Sequence, residues 1–168
     1  MNSKQVVAAV SVVALLLIIV YPALSVGAVS VLVRSAKIEK AEHIYVTIND
    51  VWAHKAGQGS SEGWEMVSNQ TKTIDLIALG NSTTTLGKGD ISLARYDIIR
   101  IEVSNVTWVF NKTTTKLELE SSQLPTNVDF TVRAGKEAVI TLTLGGRREE
   151  TQGSRFFVPT LNATIAET

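Results

Sequence analysis

The stretch from Gly87 to Phe110, GKGDISLARYDIIRIEVSNVTWVF, constrains this chain more than any other. Ile99, Ile101 and Val103 alternate with Arg100, Glu102 and Ser104. Successive side chains of a strand point to opposite faces, so this period of two describes a half-buried β-strand with one wet face. Beyond Ser104 the parity changes, and Val106, Trp108 and Phe110 become the apolar set. One slip of phase inside a continuous strand signal marks a β-bulge, which the pattern places near Ser104–Asn105. A strand of this kind needs a second apolar layer to cover it.

The remaining chain supplies that layer as more strands. Val29–Ser35 reads as a first strand. Ile44, Val46 and Ile48 form a second, which continues through Val51 and Ala53 after another phase slip. Trp64–Val67 is a short third, and Lys72–Leu79, apolar on both faces, reads as a strand covered from both sides. Leu117 and Leu119 alternate with Glu118 and Glu120. Val128, Phe130 and Val132 pair with Ile140, Leu142 and Leu144 as an expected hairpin about Arg133–Lys136. Phe156–Ile165 closes the series, and Pro159 within it suits an edge. His54–Gly63, Asn81–Lys88 and Gly145–Gly153 are rich in Gly, Ser, Thr or charge and read as loops. The expectation is an all-β chain of about seven to nine strands, folded as an antiparallel β-sandwich with immunoglobulin-like or prealbumin-like Greek-key connections.

Ahead of this domain, no charge falls between Lys4 and Arg34. A short basic start, the apolar run VVAAVSVVALLLIIV, then Pro22 and the small residues Val26-Gly27-Ala28 have the layout of a secretory signal cut after Ala28, with Ser25 a close second. Roughly twenty apolar residues also suffice for an uncleaved anchor. A pilin-type cut near Lys4-Gln5 is disfavoured by Pro22 and by the strand character of Val29–Val33. The expected division is therefore residues 1–28 as signal peptide or membrane anchor and 29–168 as the β-sandwich domain.

Lys plus Arg equals Asp plus Glu, 16 of each, so the net charge is zero. Nucleic acid and anionic surfaces select a basic excess, so no nucleic-acid partner is expected, and membrane contact only through the N-terminal segment if it is retained. With no cysteine, disulfides, thiolate catalysis and Cys-ligated metals are excluded.

With the strands placed, VSVLVRSA, HIYVTINDVWAHK, GWEMV, KTIDLIAL and LARYDIIRIEV, in that order, resemble a domain-of-unknown-function family (4382 type) of secreted archaeal and bacterial β-sandwich proteins. Ile48, Val51 and His54 fit its second strand and Trp64 its third. Asp75 and Leu76 fit its fourth, and Tyr96, Ile99 and Arg100 its fifth. Arg34-Ser35 stands where that family has Thr-Asp, and Ala94 where Gly is usual. The resemblance runs from Val29 to Leu144 and implies a fold and an extracytoplasmic home, without an activity.

Five of the eight asparagines head an N-x-Ser/Thr sequon: Asn69, Asn81, Asn105, Asn111 and Asn162. Chance placement of Ser and Thr gives roughly one or two, so the excess points to N-linked glycans on a translocated chain. Catalytic signals are sparse. His43 and His54 are the only histidines, and Asp50 is the carboxylate placed to approach His54 along one strand. Tyr96, Arg100 and Glu102 share a parity that suits cross-strand ion pairing. No serine sits in a nucleophile elbow, so neither enzyme chemistry nor a cofactor is expected. Trp52 falls opposite Val51 and Ala53, and an exposed Trp can stack on a sugar ring.

The function these features favour is an exported, N-glycosylated cell-surface structural protein, an extracellular filament subunit that assembles with itself. Val29, Val31 and Val33 are the strand-exchange candidates, because an uncharged β-forming segment at the mature N-terminus can add to a neighbour's sheet. The alternative is a membrane-anchored extracellular module that binds glycans or a protein.

Overall fold

A computed structural model describes residues 25–36, 38, 41–151 and 153–166 of the chain. The expected signal or anchor lies outside these residues as far as residue 24. Among these residues ten strands and one helical turn make an all-β, sandwich-like fold of two sheets. Among the described residues no helix is long and apolar enough to cross a membrane.

The central pair is β2 (His43–Lys55) with β6 (Arg95–Phe110), antiparallel along most of their length. Ile44, Val46, Ile48, Ile99, Ile101, Val103 and Val106 are buried, as the alternation requires. Thr47 faces Asn105 and Ile48 faces Val103, which leaves Ser104 as the extra residue of a bulge at the expected place. Asn49 is the extra residue on β2, and it accounts for the second phase slip. The two irregularities support each other, since Ser104 Oγ donates to Asn49 Oδ1 at 3.0 Å. Phe110, the last of the expected apolar set, is 44 % exposed at the strand's end.

The outer flanks of this sheet are each made of two short strands. β3 (Trp64–Ser68) and β4 (Lys72–Asp75) pair with successive parts of β2. β7 (Thr113–Leu117) and β8 (Gln123–Thr131) do the same along β6. The expected strand Lys72–Leu79 is corrected at its second half, which turns into α1 (Leu76–Leu79). Asp75 is the cause: its Oδ1 accepts from the N–H groups of Ile77 at 3.1 Å and Ala78 at 3.3 Å, an N-cap worth about 1 kcal/mol.

The second sheet runs β10–β9–β1–β5, with β1 Val26–Ser35, β5 Thr83–Ser92, β9 Glu137–Thr151 and β10 Ser154–Ala166. Here the antiparallel expectation fails once: β1 lies parallel to β9, with Val31 beside Ile140. Two expected loops are strands as well, Thr83–Lys88 in β5 and Gly145–Thr151 in β9. The expected hairpin about Arg133–Lys136 is not one, because β8 pairs with β6 while β9 pairs with β1 and β10. The turn carries the chain from one sheet to the other, with Gly135 at φ 70. Pro159 does sit on an edge strand, β10.

The two sheets meet over Val29, Val31, Val33, Ile140, Leu142, Leu144 and Phe157 on one side and the β2–β6 aliphatics on the other, all but buried. Glu118 bridges to Phe156 in parallel and joins the sheets at one corner. At the opposite flank β3 crosses β5 so closely that a Cβ at Gly89 would overlap the Val67 carbonyl.

Candidate functional site

The sequons occupy different kinds of position. Asn69 sits in the break between β3 and β4, and Asn81 between α1 and β5, both exposed. Asn111 and Lys112 form the β6–β7 turn with φ 47 and φ 59, the left-handed pair that a tight two-residue hairpin uses, and Asn111 is exposed. Asn162 is exposed on the edge strand β10. Asn105 differs: it is half-buried beside the bulge, and its Nδ2 donates to Thr107 Oγ1 at 3.2 Å.

The strand-exchange candidates lie inside their own domain. Val29, Val31 and Val33 are fully buried, and β1 has a strand on each edge, β5 antiparallel and β9 parallel. β1 also begins earlier than the expected domain start, since Val26, Gly27 and Ala28 pair with Ser92, Ile91 and Asp90.

The two histidines are held apart by different carboxylates. His43 Nδ1 is 2.6 Å from Asp75 Oδ2. Burial works against the charge on Asp75, but His43 and the N–H groups of Ala78, Ile44 and Ile77 outweigh it and hold its carboxyl below the usual range. His54 does not meet Asp50 as its parity suggested. Asp97, the extra residue of a further bulge on β6, takes that place with Oδ1 2.7 Å from His54 Nδ1. His54 Nε2 lies 3.1 Å from the Gly59 carbonyl. Both partners are acceptors, and a neutral imidazole has one N–H, so only the charged ring satisfies both. The Asp97 hydrogen bond, then the Gly59 carbonyl, raise the His54 pKa above its ordinary value although the ring is buried. Among the described residues no three His, Asp or Glu side chains converge as a metal set.

Beside His54 lies an aromatic layer on the outer face of the six-stranded sheet. The Trp64 ring is 4.9 Å from the His54 ring, and its Nε1 donates to the Ser60 carbonyl at 2.9 Å. The Arg100 guanidinium covers Trp64 at 4.1 Å and reaches within 5.7 Å of Trp52. Trp52 is half-buried rather than free, and Trp108 belongs to the core. The expected grouping of Tyr96 with Arg100 and Glu102 is broken by the bulge at Asp97, which turns Tyr96 into the core, where it stacks on Phe130 at 5.2 Å.

Sequence reasoning missed the polar network around Glu65. Its Oε2 accepts from the Ser92 N–H at 2.8 Å and the Tyr96 hydroxyl at 3.0 Å. Its Oε1 accepts from Ser92 Oγ at 2.7 Å and pairs with Lys55 at 2.5 Å. Burial opposes ionisation of Glu65, yet Lys55, Ser92 and Tyr96 together pull its pKa down to about 2. Burial, with Glu65 beside it, pushes the Tyr96 phenol up. The signal available was the polar tip of a Tyr sharing a strand with core aliphatics, since a buried Tyr hydroxyl finds a partner.

In comparisons with known proteins, no curated protein and no solved structure matches the chain. A family model matches residues 26–155, from the first residue of β1 to the start of β10, and so spans both sheets. The chain therefore belongs to the family described as Domain of unknown function (DUF4382).

Proposed function

We propose that the chain is an exported, N-glycosylated cell-surface module whose task is structural. One observation carries the reading. Four of the five sequon asparagines, Asn69, Asn81, Asn111 and Asn162, are exposed, in breaks, turns or an edge strand, where a glycan extends into solvent without disturbing the core. Peptide mapping of protein from native cells tests it: glycans are expected on at least Asn81 and Asn111, with lower occupancy at the engaged Asn105. Both sites unmodified would sink the reading.

Assembly between copies, as in a filament, is the second reading. The observation behind it is that β1 fills the space between β9 and β5 in one sheet. Its withdrawal opens two strand edges at once over an apolar floor, and the segment that matches that groove is another β1. In this form strand addition is an exchange of β1 between equivalent sandwiches.

A further inference from the structure

The end of the sandwich where the chain enters carries its own surface chemistry. Ser25 and Val26 lie against the β5–β6 turn: the Ser25 carbonyl accepts from the Leu93 N–H at 3.2 Å, and Val26 pairs with Ser92. The β8–β9 turn is packed beside them, since a Cβ at Gly27 would strike the Arg133 carbonyl and Val132. Leu93 and Ile165 are each 39 % exposed; Leu93 stands at this end, and Ile165 lies further along the sheet, level with Val31 through Ile140. Between the β8–β9 turn and the end of β10 lies an open concavity of about 620 Å³, lined by Arg95, Arg133, Lys136 and Ile165 among others. Arg95 is taken by Asp129, through two hydrogen bonds of 2.7 and 2.5 Å. Among the described residues Arg133 and Lys136 form no ion pair. This end therefore shows two cations without an ion-pair partner, Arg133 and Lys136, beside the paired carboxylates Asp129 and Glu137, the exposed Asp90 and the exposed Leu93.

We infer that this end rests on the phospholipid headgroups of a bilayer in which the chain's own segment Val6–Leu24 is retained. The inference deepens the cell-surface reading and rests on it. Three observations meet here. Val6–Leu24 carries no charge and matches the roughly 20 residues that span a hydrocarbon core. β1 starts at Val26, so only Ser25 separates it from that segment, and the sandwich stands within about 8 Å of the segment's end. The strand also disfavours release by a cut after Ala28, which would remove three paired residues from the folded domain. At that distance Arg133 and Lys136 meet phosphate groups, and Leu93 reaches the boundary of the acyl region.

The chain has no cysteine, so single labels report cleanly. The full chain, reconstituted in phosphatidylcholine vesicles with and without phosphatidylglycerol, would carry an environment-sensitive fluorophore at Leu93→Cys or Ala134→Cys. Thr113→Cys, in the β6–β7 hairpin at the opposite end, is the reference. Quenching by headgroup-borne nitroxide is expected to be several-fold stronger at Leu93 and Ala134 than at Thr113, and to rise with phosphatidylglycerol. The double change Arg133→Glu and Lys136→Glu should abolish that rise. Equal quenching at the two ends, or shielding of Leu93 that is independent of lipid and grows with protein concentration, would overturn the inference in favour of a free domain or a second copy. So would native membrane-fraction protein whose intact mass lacks residues 1–24. None of these outcomes touches the glycan map, on which the cell-surface reading stands or falls separately.

Discussion

Glu65 is held by Lys55, Ser92 and Tyr96, and the cost of losing it depends on pH. Its folded pKa of about 2 lies below the ordinary value of 4.5. A depressed carboxylate contributes stability that is complete above the unfolded pKa and is lost as pH falls through the folded one. At neutral pH this amounts to roughly 2–3 kcal/mol after allowance for partial exposure. Glu65→Gln is therefore expected to lose about that much at pH 7 in urea unfolding, and its deficit should shrink between pH 4.5 and pH 2. A deficit that stays constant over this range would mean that packing, rather than charge, is what Glu65 supplies. None of this was legible beforehand, because Lys55, Glu65, Ser92 and Tyr96 come from four separate strands. The His54 neighbourhood was not legible: parity offered Asp50 as a neighbour, and the bulge that presents Asp97 in its place has no sequence mark of its own.

Among the elements, those whose side chains alternate cleanly were readable and those whose role is to change partner were not. The slips after Ile48 and at Ser104 could be read because each shifts a run of aliphatic residues by one place. The change of sheet between β8 and β9 could not, since Val128, Phe130 and Val132 and then Ile140, Leu142 and Leu144 show which face is buried, not which strand lies alongside. The segment GGRREET looked like a loop because β9 and β10 pair on past the buried aliphatic stretch, where Arg147 with Glu149 and Arg148 with Glu150 supply the side-chain contacts. β5 was hidden for another reason. Its glycines, which weaken a strand signal, let β3 cross at contact distance. Gly89→Ala would drive a methyl into the Val67 carbonyl, and a loss of about 1–3 kcal/mol is expected from thermal or urea unfolding. The same change at Gly153, where nothing lies within 4 Å, meets no neighbour, and its cost should come from φ +85 alone.

For the molecule as a whole, the two-sheet architecture was legible, and the place of β1 within it was not. Alternation placed Val29, Val31 and Val33 on a buried face but left open whose core they fill. In the folded chain they fill their own, as the middle of a mixed sheet. A chain lacking residues 26–35 is therefore expected to lose its cooperative unfolding transition, and a synthetic peptide of that sequence added in trans should restore it. The same peptide with Val31→Asp should not, because it would carry an unpaired charge into the core. Failure of the unmodified peptide to rescue would rule out exchange of β1 between copies. The register of β1 also sets a schedule for synthesis. Arg34 and Thr143, bonded side chain to side chain, are 109 positions apart, so the first strand to be made waits for one of the last. β2, β3, β4, β6, β7 and β8 form the six-stranded sheet from a stretch of chain interrupted by α1 and β5, while β1 has no parallel partner until β9 has emerged. Such distant pairings place folding in the range of milliseconds to seconds. If copies exchange β1 as proposed, this interval is when they do so, and the choice between solitary and linked molecules is made at birth, by how closely nascent chains are crowded.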